Sequence, residues 1–339
     1  MRGRGCLFVL SALLLYFVVA PPGRADTIDL KLAHFMPVMH IQHQKSFLPF
    51  ARRVEQLTGG QVKVKIFPGG TLGDAAQLAD AVKSGIADIA FIVPTYTTGR
   101  FPRTAAFDLP FLFDDALHAT KVYYDLAGEY LMDDFSQYKV LWFLSCGPGQ
   151  FHSVKKPIRT MEDLKAMKMR SPSAPMSRVF TLWGANPVSM PLPELHGALE
   201  KNILDGMLTP ASAIADFKLT EIIRHVTKAD VYISIMAVIM NKEKFNALPD
   251  YAKKALEEAG GKPWGLASAQ AYDDHDADTL RKLAAAGKVK VYTLPAAEKR
   301  LLAERVKVME ADWITDNARK GIPAESLLKA VHRSAEKNR

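Results

Sequence analysis

From Thr27 onward the chain alternates β-patterned runs with helix-patterned ones, and that rhythm limits its fold more than any other feature. "TIDLKLAHF" reads as a strand, and "IQHQKSFLPFARRVEQLTGG" as a helix stopped by Gly59 and Gly60, residues that accept the left-handed turn of a helix end. "QVKVKIFPGG" sets Val62, Val64 and Ile66 at period two, as a half-exposed strand does. "TLGDAAQLADAVKSG" returns to helix and "IADIAFIV" to an apolar strand. This order predicts an α/β fold built on a mostly parallel sheet with helices on both faces. The rhythm resumes at "TMEDLKAM", a helix start in which Thr160 and Asp163 form a capping box with Asp in place of Glu. Strand "KMR", helix "APMSRVFTLWGA", strand "PVSM", helix "LPELHGALEKN" and strand "LDGMLT" follow. Two such units without a low-complexity linker predict two lobes. Leu266 to Ala286 holds neither Gly nor Pro, which predicts a helix of about 30 Å, long enough to cross both.

The first 25 residues are expected to be a secretory signal peptide. Arg2 and Arg4 precede an apolar run from Leu7 to Ala20, and Gly23 and Ala25 stand three and one positions before a cut ahead of Asp26. The run is shorter than the roughly 20 residues that span a bilayer. A soluble periplasmic protein, cleaved near Ala25, is therefore expected. Cys6 precedes the apolar run, cannot be a lipid-anchored cysteine, and leaves with the leader. Cys146 then stands alone, so no intramolecular disulfide is available, and the core must hold itself together from a chain of 48% hydrophobic composition. The net charge of +8 is mild, and its Lys and Arg are mixed with Asp and Glu, which argues against nucleic acid as a partner.

Among residues that could carry chemistry, Arg170 is the sharpest. It closes the strand "KMR" before Ser171-Pro172 turns the chain away, and ligands of open α/β sheets sit outside the carboxyl ends of strands. A guanidinium there is either a salt-bridge staple or a hand for an anionic ligand. His34, His40 and His43 have spacing that invites a metal, but no Cys or carboxylate completes a set nearby, so helix-face or pocket-lining roles are expected and no metal. "YDDHDAD" lacks the glycine and closing glutamate of a calcium loop and reads as a solvated helix face. Cys146 and His152 could be a nucleophile and base, yet no third partner is recognisable and an inert buried thiol accounts for Cys146 as well. No phosphate-loop, dinucleotide, nucleophile-elbow or zinc-helix motif occurs, which leans toward binding without a cofactor rather than catalysis.

"GGQVKVKIFPGGTLGD", "AVKSGIADIAF", "LPFLFDD", "MEDLKAMKMRSP" and "WGANPVSMPLPELHGALEKNILDG" together resemble, in order and over nearly the whole mature chain, the substrate-binding proteins of tripartite ATP-independent periplasmic (TRAP) transporters. The resemblance implies a two-lobed binding-protein fold with a long helix spanning both lobes. It implies capture of an organic acid in the cleft and delivery to a membrane permease pair, driven by an ion gradient. The lobes are expected at 26–149 plus 235–275 and at 150–234 plus 276–339, in a monomer. Arg170 matches the family arginine that clamps the ligand carboxylate. Gln150 stands where many members have a second arginine, and Thr209 where many have an asparagine. Phe35, Tyr96 and Leu192 match further pocket positions, and His34 is expected beside them. With one cation and fewer polar anchors, the expected ligand is a monocarboxylate with an apolar or aromatic body. A sensor subunit and a Cys146/His152 thiol enzyme are the alternatives.

Overall fold

The computed structural model describes residues 27–339; the expected leader, with Cys6, lies outside them. The first group of strands comprises β1 (Ile28–Ala33), β2 (Val62–Phe67), β3 (Ile89–Ile92) and β4 (Tyr138–Ser145). The second comprises β5 (Gln150–Ser153), β6 (Lys168–Ser171), β7 (Asn186–Ser189), β8 (Gly206–Thr209) and β9 (His225–Lys228). The chain then returns to the first sheet with β10 (Ile235–Asn241) and to the second with β11 (Lys290–Thr293). The sheets have the orders β2-β1-β3-β10-β4 and β11-β9-β5-β8-β6-β7.

Neither sheet is wholly parallel. β1 runs parallel to β2 and β3, and β6 to β7 and β8, each joined through helices as expected. β10 runs against β3 and β4, and β5 against β8 and β9. β5 and β10 are the strands by which the chain enters one sheet directly from the other. Parallel neighbours need a crossover connection, and a strand arriving without one is free to run the opposite way.

The two crossing segments lie side by side. Gly149 N donates to Tyr232 O at 2.8 Å, Val231 N to Gly149 O at 3.0 Å, and Cys146 N to Ser234 O at 3.2 Å. A side chain at Gly149 would overlap the Tyr232 ring, so the closeness of the segments depends on that glycine.

The long helix spans Gly261–Ala286, about 39 Å at 1.5 Å per residue, and ends on Gly287 with φ of 69°. It begins before Leu266 because Pro263 falls in its first turn, where a missing N–H costs nothing. Its acidic run is a solvated face only in part: Asp274 is exposed and Asp278 pairs at the surface with Arg281 and Lys282, but Asp273 and Asp276 turn inward. Asp273 accepts from Ala116 N at 2.9 Å and Leu117 N at 3.0 Å, at the start of the Ala116–Leu126 helix beside the first sheet. Asp276, one turn on, is buried and accepts from Ser212 N at 2.6 Å, at the start of the short Ser212–Asp216 helix beside the second. One helix thus supplies N-terminal carboxylates to both units.

Two further expectations change. The Thr160/Asp163 capping box forms, with Thr160 N donating to Asp163 at 3.0 Å and Asp163 N to Thr160 Oγ1 at 3.3 Å, but it caps only the single turn Glu162–Leu164. Ala166, at φ of 58°, then turns the chain into β6. The C-terminal helix Ala324–Lys337 does not stay with the second lobe, where 276–339 was expected: it packs on Ala116–Leu126. There His118 Nε2 donates to Ala335 O at 2.8 Å, and Ser334 Oγ to Asp125 at 3.1 Å. Its buried stripe, Leu327, Leu328 and Val331, is what that docking covers.

The larger core gathers Phe47, Phe50, Phe91 and Trp142 beside the first sheet, with Phe50 and Trp142 ring centroids 4.7 Å apart, and continues through Phe151, Met169, Phe180 and Trp183 of the second. A smaller one, around Leu195, Leu199 and Ile223, lies behind the second. Each such buried side chain contributes about 1.5–3 kcal/mol.

Candidate functional site

Arg170 lies on β6 opposite Val188 and Met207, and only 1% of it is exposed. Nε donates to Met190 O at 3.0 Å, Nη1 to Leu208 O at 3.0 Å, and Nη2 to the Tyr96 hydroxyl oxygen at 3.3 Å. Those bonds use three of the five N–H donors of a guanidinium. No Asp or Glu among the described residues pairs with it. A buried cation without a counter-ion is expensive, and two carbonyl dipoles offset only part of that cost. Arg170 is therefore held in a fixed orientation by main chain while its charge stays unneutralised.

Tyr96 ends the single turn Pro94–Tyr96 that follows β3, so it reaches Arg170 from the other lobe. Its oxygen also accepts from Leu192 N at 3.3 Å. Phe35 packs behind it, with ring centroids 6.0 Å apart, and is in turn backed by Phe91 at 5.7 Å. Burial pushes the Tyr96 phenol above its usual range although Arg170 pulls it down, so it remains a neutral hydroxyl.

Arg170 and Tyr96 line a cavity of about 40 Å³ between the lobes, whose wall also includes His40, Cys146, Leu192, Thr209, Tyr232 and Tyr272. A larger concavity, about 580 Å³, is lined by Thr97, Arg178 and Trp313 among others. Its Arg178 is already paired with Asp312 and exposed, so the smaller space, holding the buried unpaired cation, is the candidate site.

Of the residues expected in the site, Arg170, Tyr96, Leu192 and Thr209 meet at this cavity. Gln150 does not, which corrects its expected role. Its Nε2 donates to Pro148 O at 3.0 Å and Asp230 at 2.8 Å, and its Oε1 accepts from Ala229 N at 2.7 Å and Asp230 N at 3.1 Å. The amide is saturated by the crossing segment. Phe35 likewise supports Tyr96 rather than the cavity. His34 is fully buried behind the site, with Nδ1 accepting from Met36 N at 3.2 Å and Nε2 donating to His43 Nδ1 at 2.9 Å. Burial lowers its pKa to about 3, so it stays neutral.

Cys146 and His152 are not a nucleophile and base. Cys146 Sγ faces Ser234 O at 3.7 Å, and His152 Nε2 donates to Thr209 O at 2.8 Å; burial pushes the thiol up and lowers the imidazole to about 4. No set of three or more His, Cys, Asp or Glu side chains among the described residues has metal-holding geometry. The sequence reading allowed His40 a helix-face or pocket-lining role without placing it in the site, and it missed Tyr232 and Tyr272 as wall residues. Tyr232 could have been found, since it lies in the second crossing segment; Tyr272 lay inside the acidic run set aside as solvated.

The family model for bacterial extracellular solute-binding protein, family 7, matches residues 32–315. The 2,3-diketo-L-gulonate-binding periplasmic protein of Escherichia coli is 30% identical over 214 residues, 61% of this chain and 65% of that one. A TRAP solute binding protein from Rhodoferax ferrireducens, solved with copurified benzoate, superposes with a TM-score of 0.88 at 30% identity, over 92% of this chain and 98% of that one. One from a marine metagenome, described as specific for aromatic acid ligands and solved with 3-hydroxybenzoate, gives 0.88 at 30% identity, over 92% and 99%.

Proposed function

The chain is a TRAP solute-binding protein of bacterial extracellular solute-binding family 7, and from that premise we propose that it binds an aromatic monocarboxylate in the interlobe cavity through Arg170. The observation that carries this reading is the buried guanidinium, anchored by Met190 O and Leu208 O and left without an acid of its own. A carboxylate supplies the missing charge and two planar acceptors, which a guanidinium matches as a fork. The three tyrosines, Leu192 and Met236 in the wall favour an aromatic body. The benzoate and 3-hydroxybenzoate in similar structures support the same class.

The two units, 26–149 with 235–275 and 150–234 with 276–339 less its returning tail, rock about the crossings near 149–150 and 234–235. A ligand that touches both binds the closed arrangement better and shifts the population toward it. In that arrangement the cavity is sealed, and the low dielectric strengthens the ion pair. The closed, loaded form is what a TRAP membrane permease receives in the periplasm, after removal of the leader. No covalent chemistry is assigned to the site.

The test is mass spectrometry of the small molecule that co-purifies with gently handled protein, followed by calorimetry with that acid. An aromatic monocarboxylate is the expected result. A dicarboxylate or a sugar acid binding as tightly as any aryl acid overturns the aromatic assignment.

A further inference from the structure

Besides Arg170 and Tyr96, the cavity wall holds His40 and Tyr272, which face each other edge to face with ring centroids 5.8 Å apart. His40 Nδ1 accepts from Gln42 N at 3.1 Å, so the ring proton sits on Nε2. The acceptor nearest that proton, Asp216 Oδ2 at 3.5 Å, lies beyond normal N–H···O range, and Asp216 already takes the His275 Nε2–H on Oδ1 at 2.9 Å. Tyr272 is 4% exposed, and its hydroxyl has no hydrogen-bond partner among the described residues. Buried tyrosines ordinarily bond through their hydroxyl, and an unmet donor in a closed space is costly. Two donors other than the cation thus stand in the cavity wall, both without a good acceptor.

We propose that this pair of donors recognises a second, uncharged polar group on the ligand, a hydroxyl or carbonyl carried on the body of the acid, through His40 Nε2–H and the Tyr272 hydroxyl. The inference rests on the reading of the protein as a carboxylate binder. A carbonyl oxygen accepts from both groups; a hydroxyl accepts from His40 and donates to the Tyr272 oxygen. A second carboxylate does not fit. Asp216 lies behind His40, Asp276 is one turn from Tyr272, and the only Lys or Arg in the cavity wall is Arg170, taken by the first carboxylate. Burial holds the His40 pKa near 4, so His40 supplies no countercharge at neutral pH. A desolvated second anion would have nothing to pair with.

The test is calorimetry on ligand-free protein with matched pairs of acids, benzoate against 3-hydroxybenzoate and phenylacetate against 3-hydroxyphenylacetate, with isophthalate as the dianion. At least one hydroxylated acid is expected to bind about 10- to 100-fold tighter than its parent, the worth of one or two hydrogen bonds to a neutral group. Isophthalate is expected not to bind. Tyr272→Phe and His40→Asn, the latter keeping an acceptor for Gln42 N while removing the Nε2–H, are expected to collapse that ratio to within about threefold, with circular dichroism unchanged. Equal affinity within every pair, with binding still lost in Arg170→Ala, overturns the second-group assignment and leaves the carboxylate reading standing. Acids that bind regardless of Arg170→Ala, or a panel in which none binds, overturn that reading and the inference with it.

Discussion

The Tyr96 hydroxyl oxygen accepts from Arg170 Nη2 at 3.3 Å, placing a neutral oxygen from one lobe against the cation of the other. Leu192 N donates to the same oxygen, so one hydroxyl satisfies two donors of the opposite lobe. Tyr96→Phe removes that acceptor and leaves both donors unmatched in the closed form. The expected result is roughly tenfold weaker ligand binding with little change in the ligand-free melting temperature, read by calorimetry and a thermal scan. Unchanged affinity would mean that the tyrosine is displaced on binding rather than part of the clamp.

Arg170→Ala should abolish detectable binding of any acid. Arg170→Lys should rescue poorly, because an ammonium cannot bond Met190 O, Leu208 O and a carboxylate with one planar group. In wild-type protein, ligand at a hundred times its dissociation constant should add about 2.7 kcal/mol of stability, and in both variants the melting shift should vanish. A Lys variant of near wild-type affinity would rule out a forked clamp.

Much of this was legible in the residues. Period-two runs and glycine stops marked β1, β2 and the helix between them, and Arg170 stood out because it closes a strand where the chain turns. The direction of β5 and β10 was not legible, since nothing local says that a strand arrives from the other sheet. Gln150 was misplaced because its amide finds partners 80 residues away at Asp230, a pairing no local pattern records. Asp276 was misread for a related reason: helical periodicity marks a face, but not that a second lobe covers it.

Cys146 offers a readout of closure. Its thiol lies in the cavity wall at 3% exposure, and burial pushes it upward, so little thiolate forms at neutral pH. Labelling by a thiol reagent in the folded protein should require the lobes to part. Saturating ligand should slow it about in proportion to the fraction of protein bound. Fast labelling that ligand leaves unaffected would contradict the buried placement.

Gly147, in the first crossing, packs so closely on Asp276 that a methyl group there would overlap Oδ2. Asp276 cannot swing away without releasing Ser212 N, which its Oδ1 holds at 2.6 Å. Gly147→Ala is therefore expected to cost about 1–3 kcal/mol, read as a fall in melting temperature, and to weaken ligand binding by loosening the crossing. Adding Asp276→Ala should recover part of the loss, because it removes the overlapping atom. A single variant that melts like wild type would show that the crossing has slack.

Asp276 also sets a pH dependence whose sign follows from its surroundings. Burial is the largest influence on its carboxyl and raises the pKa to about 7, while the Ser212 groups pull it down. Its Oδ2 has no hydrogen-bond partner. An acid whose pKa is raised on folding is protonated in the folded chain over a range where the unfolded chain has lost the proton. Its contribution is complete below the unfolded carboxylate value near 4 and is lost as pH rises through about 7. Asp108, also raised to about 7 by burial, acts in the same direction. His34, His40 and His152, whose pKa values burial lowers, act oppositely: their contribution is present above about 6.5 and lost as pH falls toward 4. The wild-type curve therefore mixes both trends, and a difference between variants isolates one. Asp276→Asn keeps an acceptor for Ser212 N and cannot ionise. Its melting temperature relative to wild type should rise steadily between about pH 4 and 7 and level off above, gaining at least about 2 °C. A difference that stays flat across that range would mean that Asp276 is ionised throughout and that the spine carries a charge the cavity must accommodate.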